Sequence, residues 1–137
     1  MKKFLRRVAL FGLSLFSLLA ALPSGGYAMD SSLPAIDVQT LAQRMDAPNP
    51  PFLLDVREPD EFAAASIKGA TLIPLGSLPS RLSEVPKDRP VVVVCRSGNR
   101  SGRATMLLRE QGYTNVENLT GGMIAWSRQC NADKKYC

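Results

Sequence analysis

The sequence contains no histidine. That absence rules out His-ligated metals and every nucleophile–histidine triad. Cysteine is scarce as well. The three present, Cys95, Cys130 and Cys137, show no spacing that resembles a four-ligand zinc site, so no metal and no cofactor is expected. Long hydrophobic runs are missing. The apolar stretch Val8 to Ala21 has 14 residues, short of the roughly 20 that a membrane-spanning helix needs. Internal repeats and low-complexity tracts are also absent.

What is present begins with an export layout. Lys2, Lys3, Arg6 and Arg7 precede the apolar run, and Pro23 to Gly26 break it. Gly26-Tyr27-Ala28 then places small residues at −3 and −1 of a cleavage site, the pattern of a secretory signal peptide over 1–28. Retention as an uncleaved anchor and use of the twin-arginine route are the alternatives. The expected compartment is the periplasm or the outside of the cell, with no stable membrane insertion after cleavage. The leader holds four of the 17 basic residues and none of the 12 acidic ones, so the net charge falls from +5 to +1 on its removal. The basic balance therefore gives no support for nucleic-acid binding. The remaining length of about 109 residues suits one domain with its own core.

Residues 29–34 read as a polar, flexible tail, and 35–129 as the domain. Asp37 is placed to cap a helix over Val38–Met45. Phe52–Val56 reads as a buried strand, Pro59–Ala65 as a short helix, and Thr71–Ile73 as a strand stopped by Pro74. Leu78–Val85 reads as a helix. Val91–Val94 is four β-branched residues in a row, as a central parallel strand covered on both faces requires. A helix over Ser101–Gln111 follows, with Gly112 just past its end. Val116–Leu119 reads as the last strand, and Gly121-Gly122 as a tight turn into a helix reaching about Gln129. Alternating strands and helices predict an α/β fold with a central, mostly parallel sheet and helices on both faces.

Chemistry concentrates where Val91–Val94 ends. Cys95 is followed by Arg96-Ser97-Gly98-Asn99-Arg100-Ser101 and then a helix. In open α/β sheets the ligand crevice lies at the carboxyl ends of strands. A helix N-terminus there offers unpaired N–H groups and the positive end of its dipole, both of which favour a thiolate. Gly98 lets the loop bend so that successive N–H groups converge. A lone cysteine at a strand end is ordinarily inert core filling. A polar loop with two arginines is not, so Cys95 is read as reactive.

Four ordered blocks now resemble the rhodanese family across nearly all of 35–129. They are Asp55-Val56-Arg57-Glu58-Pro59-Asp60-Glu61-Phe62; Ile67-Lys68-Gly69-Ala70 with Ile73-Pro74; Val92 to Ser101; and Gly112-Tyr113, Val116, Asn118-Leu119, Gly121-Gly122 and Trp126. With the leader, the chain resembles the exported, phage-shock-type single-domain members. Ala65-Ser66 departs from the Gly-His that many members carry, outside the active loop. The resemblance implies a five-stranded rhodanese-like sheet and thiosulfate sulfurtransferase activity. Cys95 would attack the outer sulfur of thiosulfate, release sulfite and hold a persulfide until a thiol, a dithiol protein or cyanide removes the sulfur. Sulfite leaves as an anion, so no general acid is needed. Arg96, Ser97, Gly98, Asn99, Arg100 and Ser101 are the implied substrate-binding residues, with Arg96 and Arg100 on the sulfonate oxygens.

Two other readings stay open. A cysteine phosphatase or arsenate reductase of the same fold would resemble Cys-x5-Arg, whereas only four residues separate Cys95 from Arg100. A non-catalytic binding domain would not need the cysteine. Asp55, Arg57 and Glu61 are expected to form a salt-bridge network bracing the loop after the second strand, and Trp126 to belong to the core. Cys130 and Cys137 bracket a polar spacer. In an oxidising compartment they are expected to pair as a disulfide closing the tail 130–137, the alternatives being a mobile dithiol that takes sulfur from Cys95 and two unpaired thiols.

Overall fold

A computed structural model of the chain describes residues 32–132. The expected leader over 1–28 and Cys137 lie outside them. Five strands form one sheet: β1 Ala35–Ile36, β2 Phe52–Asp55, β3 Thr71–Leu72, β4 Val91–Val94 and β5 Val116–Leu119. Their order is β1-β5-β4-β2-β3, and every neighbouring pair is parallel. The sheet is thus wholly rather than mostly parallel. Four helices accompany it: α1 Val38–Met45, α2 Pro59–Ala64, α3 Asn99–Glu110 and α4 Gly122–Ala132.

The strand β4 lies between β2 and β5, and all four of its valines are fully buried. Burial contributes about 1.5–3 kcal/mol for each such side chain relative to exposure. Successive side chains leave a strand on opposite faces. Val91, Val93 and Cys95 accordingly pack with Leu54, Ile73, Ala104 and Leu108. Val92 and Val94 pack with Ile36, Leu41, Leu53 and Trp126. The helix α3 therefore covers one face, and α1 and α4 cover the other. Trp126 is core, as the sequence suggested.

Several boundaries differ from the sequence reading. The strand β1 was not foreseen, because two residues have no periodicity to detect. Its hydrogen bonds come from neighbours, with Asn118 N–H donating to Pro34 and Thr120 N–H to Ile36 at 2.8 and 2.9 Å. The expected helix Leu78–Val85 is instead two 3-10 turns, Leu78–Ser80 and Leu82–Glu84. Pro86 drives the preceding Val85 into an extended conformation and has no N–H to offer the Leu82 carbonyl, which instead accepts from the Tyr113 hydroxyl and the Val85 N–H. The helix α3 starts at Asn99, two residues before the expected Ser101, because Gly98 takes a left-handed conformation (φ +102°) and serves as its cap. Strands β2 and β3 and helices α2 and α3 each end one residue sooner than expected, and α4 runs on to Ala132. The cap of α1 is as read, with the Asp37 carboxylate accepting the Thr40 N–H at 2.7 Å.

Candidate active site

Cys95 immediately follows β4 and is only 1% exposed. The next residues, Arg96 and Ser97, are exposed, and the chain turns through Gly98 into α3. The turn folds the loop back over the sulfur. Gly98 N–H and the Ser101 hydroxyl both donate to Cys95 Sγ, each at 3.1 Å. Ser101 is itself fully buried.

Burial alone pushes the Cys95 thiol up. The Ser101 hydroxyl and the backbone N–H groups of Ser101, Gly98 and Ser97 oppose it and prevail, so the thiol lies below its ordinary value. The sulfur is therefore held as a thiolate more readily than a free cysteine, as a nucleophile requires.

The loop amides converge because the loop carbonyls are held elsewhere. Met123 N–H donates to the Cys95 carbonyl at 2.8 Å and Ile124 N–H to the Arg96 carbonyl at 3.0 Å. A trans peptide points its N–H opposite to its C=O. Fixing the Arg96 carbonyl on α4 therefore aims Ser97 N–H the other way, toward the sulfur. This approach requires glycine at 122. A Cβ there would lie 2.8 Å from the carbonyl carbon of Arg96 and closer still to the carbonyl oxygen of Cys95, with φ at +53°. The Asn118 side-chain amide adds a donor to the Gly98 carbonyl at 3.2 Å.

The acidic and basic residues around the loop form two separate pairs. Arg57 and Asp55 are buried together, and Arg57 Nη2 donates to Asp55 Oδ2 at 2.7 Å. The same guanidinium donates to the carbonyls of Glu61 and Ala65, so it ties α2 and the following turn to the end of β2. Glu61 turns the other way. Its carboxylate takes both Nη atoms of Arg100 at 2.7 Å each, linking α2 to the first turn of α3. That pairing and the N–H of Glu58 hold the Glu61 carboxyl down at about 2. The expected bracing network exists, but Glu61 braces the cysteine loop instead of joining Asp55 and Arg57 in one cluster.

The six loop residues thus occupy distinct positions. Gly98 and Ser101 contact the sulfur directly, and Ser97 contributes its N–H. Arg100 is engaged by Glu61. Arg96 and Asn99 are exposed, and among the described residues no ion pair holds Arg96. Sequence reasoning missed the part played by the α4 amides. Their signal in the sequence is the Gly121-Gly122 pair, read there as a tight turn, because a glycine at 122 is what allows the close approach to the loop.

The model of the rhodanese-like domain matches residues 37–129. The chain belongs to the rhodanese-like domain family. A sulfurtransferase of Allochromatium vinosum is 47% identical over 93 residues, which cover 68% of this chain and 87% of that protein. A putative sulfurtransferase of Bacillus subtilis, YtwF, is 38% identical over 91 residues, covering 66% and 87%. Among solved structures, a rhodanese-like domain protein from Staphylococcus aureus matches with a TM-score of 0.66 at 31% identity, covering 69% of this chain and 91% of that one. The rhodanese-like domain here is thus similar to proteins named as sulfurtransferases, and Cys95 lies at the loop where its sequence block resembles the family.

Proposed function

We propose that this rhodanese-like domain moves sulfane sulfur from thiosulfate, or a similar anionic donor, to a thiophilic acceptor through a persulfide on Cys95. The observation that carries the reading is the paired donation of Gly98 N–H and Ser101 Oγ to Cys95 Sγ at 3.1 Å. The Cys95 thiolate attacks the outer sulfur of thiosulfate. A new S–S bond forms, the old one breaks, and sulfite leaves with the electron pair. The loop N–H groups then face an anionic persulfide, which they stabilise as preorganised donors. An acceptor thiol or cyanide removes the sulfur and restores the thiolate. The four-residue spacing from Cys95 to Arg100 supports a loop sized for sulfur over one sized for a tetrahedral oxyanion.

Intact mass after exposure to thiosulfate tests this. The wild type should gain one sulfur, about 32 Da, reversibly by reductant. Cys95→Ser should gain nothing and transfer no sulfur, since deleting a nucleophile typically costs ~10⁴-fold or more. Residual transfer above about one per cent of wild type would overturn the mechanism.

The layout of 1–28 supports export to the periplasm or beyond, and with it a Cys130–Cys137 disulfide closing the tail. Cys130 lies eight residues beyond Gly122 on α4, a rise of about 12 Å, which favours a structural role for the pair over direct receipt of sulfur from Cys95.

A further inference from the structure

We propose that Glu61 is a positioning residue that sets donor selectivity: by engaging Arg100 it withdraws one of the two loop cations from anion binding, and so favours singly charged sulfur donors over doubly charged ones. The inference rests on the sulfur-transfer reading of Cys95.

Arg100 is the second residue of α3, close enough to Cys95 for the two to interact electrostatically, and Glu58 acts on it as well. By position alone it should grip an incoming anion. Instead both of its Nη atoms donate to the two oxygens of Glu61 at 2.7 Å. Glu61 is itself pinned, because Glu58 N–H donates to its Oε2 at 3.0 Å and closes a capping box at the start of α2. A sulfonate reaching for Arg100 must therefore displace a bidentate carboxylate held from a second side. Arg96 is exposed. Of the two loop arginines, Arg100 is thus neutralised by Glu61, whereas Arg96 has no ion pair among the described residues. Coulomb energy scales with the charge of the donor, so neutralising a cation costs a dianion about twice what it costs a monoanion.

Thiosulfate and methanethiosulfonate provide the test, because they differ in charge while offering the same S–S bond. With either, Cys95 sulfur bonds to the sulfane sulfur and the old S–S bond breaks toward the leaving group, sulfite for the dianion and methanesulfinate for the monoanion. In Glu61→Gln, KM for thiosulfate should fall about tenfold at low ionic strength and KM for methanethiosulfonate about threefold, following the charge ratio. The shift should shrink in high salt. Arg100→Gln leaves an unpaired carboxylate at the rim and should move the preference the opposite way. The double variant should restore the wild-type ratio to within about twofold. A Glu61→Gln protein that loses activity equally with both donors, or keeps the wild-type ratio, would show a purely structural role and overturn the inference. So would an Arg100→Gln protein with an unchanged ratio. Should the wild type acquire sulfur from neither donor, the sulfur-transfer reading itself falls. Should it load from both without a shift in the variants, only the selectivity inference falls.

Discussion

The N–H of Met123 donates to the carbonyl oxygen of Cys95 at 2.8 Å, binding the first turn of α4 to the residue that follows β4. Its neighbour Ile124 does the same for Arg96. Two elements distant in sequence thereby fix the orientation of the peptide planes around one sulfur atom. The loop keeps its amides on the sulfur because its carbonyls are already satisfied on the other side.

Gly122→Ala should break this arrangement. Its Cβ would overlap the Cys95 and Arg96 carbonyls, which are backbone and cannot rotate away. The left-handed backbone at 122 adds a conformational cost of order 1 kcal/mol. We expect a loss of at least about 2 kcal/mol in urea unfolding and a fall of more than tenfold in sulfur transfer. Gly69, also at positive φ but with nothing within 4 Å of an added Cβ, is the control. Its alanine variant should lose only the conformational part and keep its activity.

Ser101→Ala removes a hydroxyl donor from Cys95 Sγ. The hydrogen bonds at this sulfur lower its pKa against burial, so deleting one must raise it. A hydrogen bond to a charged group is worth about 1.5–3 kcal/mol, which places the alkylation midpoint about one to two pH units higher. The rate of iodoacetamide modification against pH reads this directly. In the wild type the midpoint should lie below that of a free thiol. An unchanged midpoint in the variant would mean that the backbone N–H groups alone hold the thiolate.

Glu61→Gln should also carry a pH signature in stability. The Glu61 carboxyl is held at about 2, below its ordinary 4.5. A depressed carboxyl stabilises the fold above its unfolded value, and the contribution fades as pH falls toward the folded value. The pair is partly solvated, so about 1 kcal/mol is expected at pH 7. The gap between wild type and variant should close between about pH 4.5 and 2, as measured by urea midpoints across that range. A gap that persists at pH 2 would assign the loss to packing and not to charge.

Replacing both Cys130 and Cys137 by serine tests the tail. Closing a loop of eight residues is worth about 2.5 kcal/mol on the chain-entropy model, or several degrees in Tm for a domain of this size. Specific activity should be retained. Activity lost with Tm unchanged would instead favour a thiol relay.

Much of the protein was readable before any coordinates. A run of four β-branched valines suits a strand buried on both faces, and the doubly basic, glycine-bearing loop after it marks Cys95 as more than core filling. The blocks around them carried the family. Local sequence was also sufficient for the Asp37 cap and for Trp126 as core. It was insufficient where geometry depends on contacts between distant residues. The strand β1 exists because β5 offers it partners, and the span after Pro74 divides into turns because Tyr113 and Pro86 act on it from outside. Arg100 and Glu61 are 39 positions apart, and nothing local says that they pair. The same holds for the amides of Met123 and Ile124, which shape the cysteine loop from the start of another helix. Chemical identity is a property of residues and is written along the chain. The direction in which a donor points is set by which distant groups have already taken its neighbours, and only the folded arrangement of strands and helices decides that.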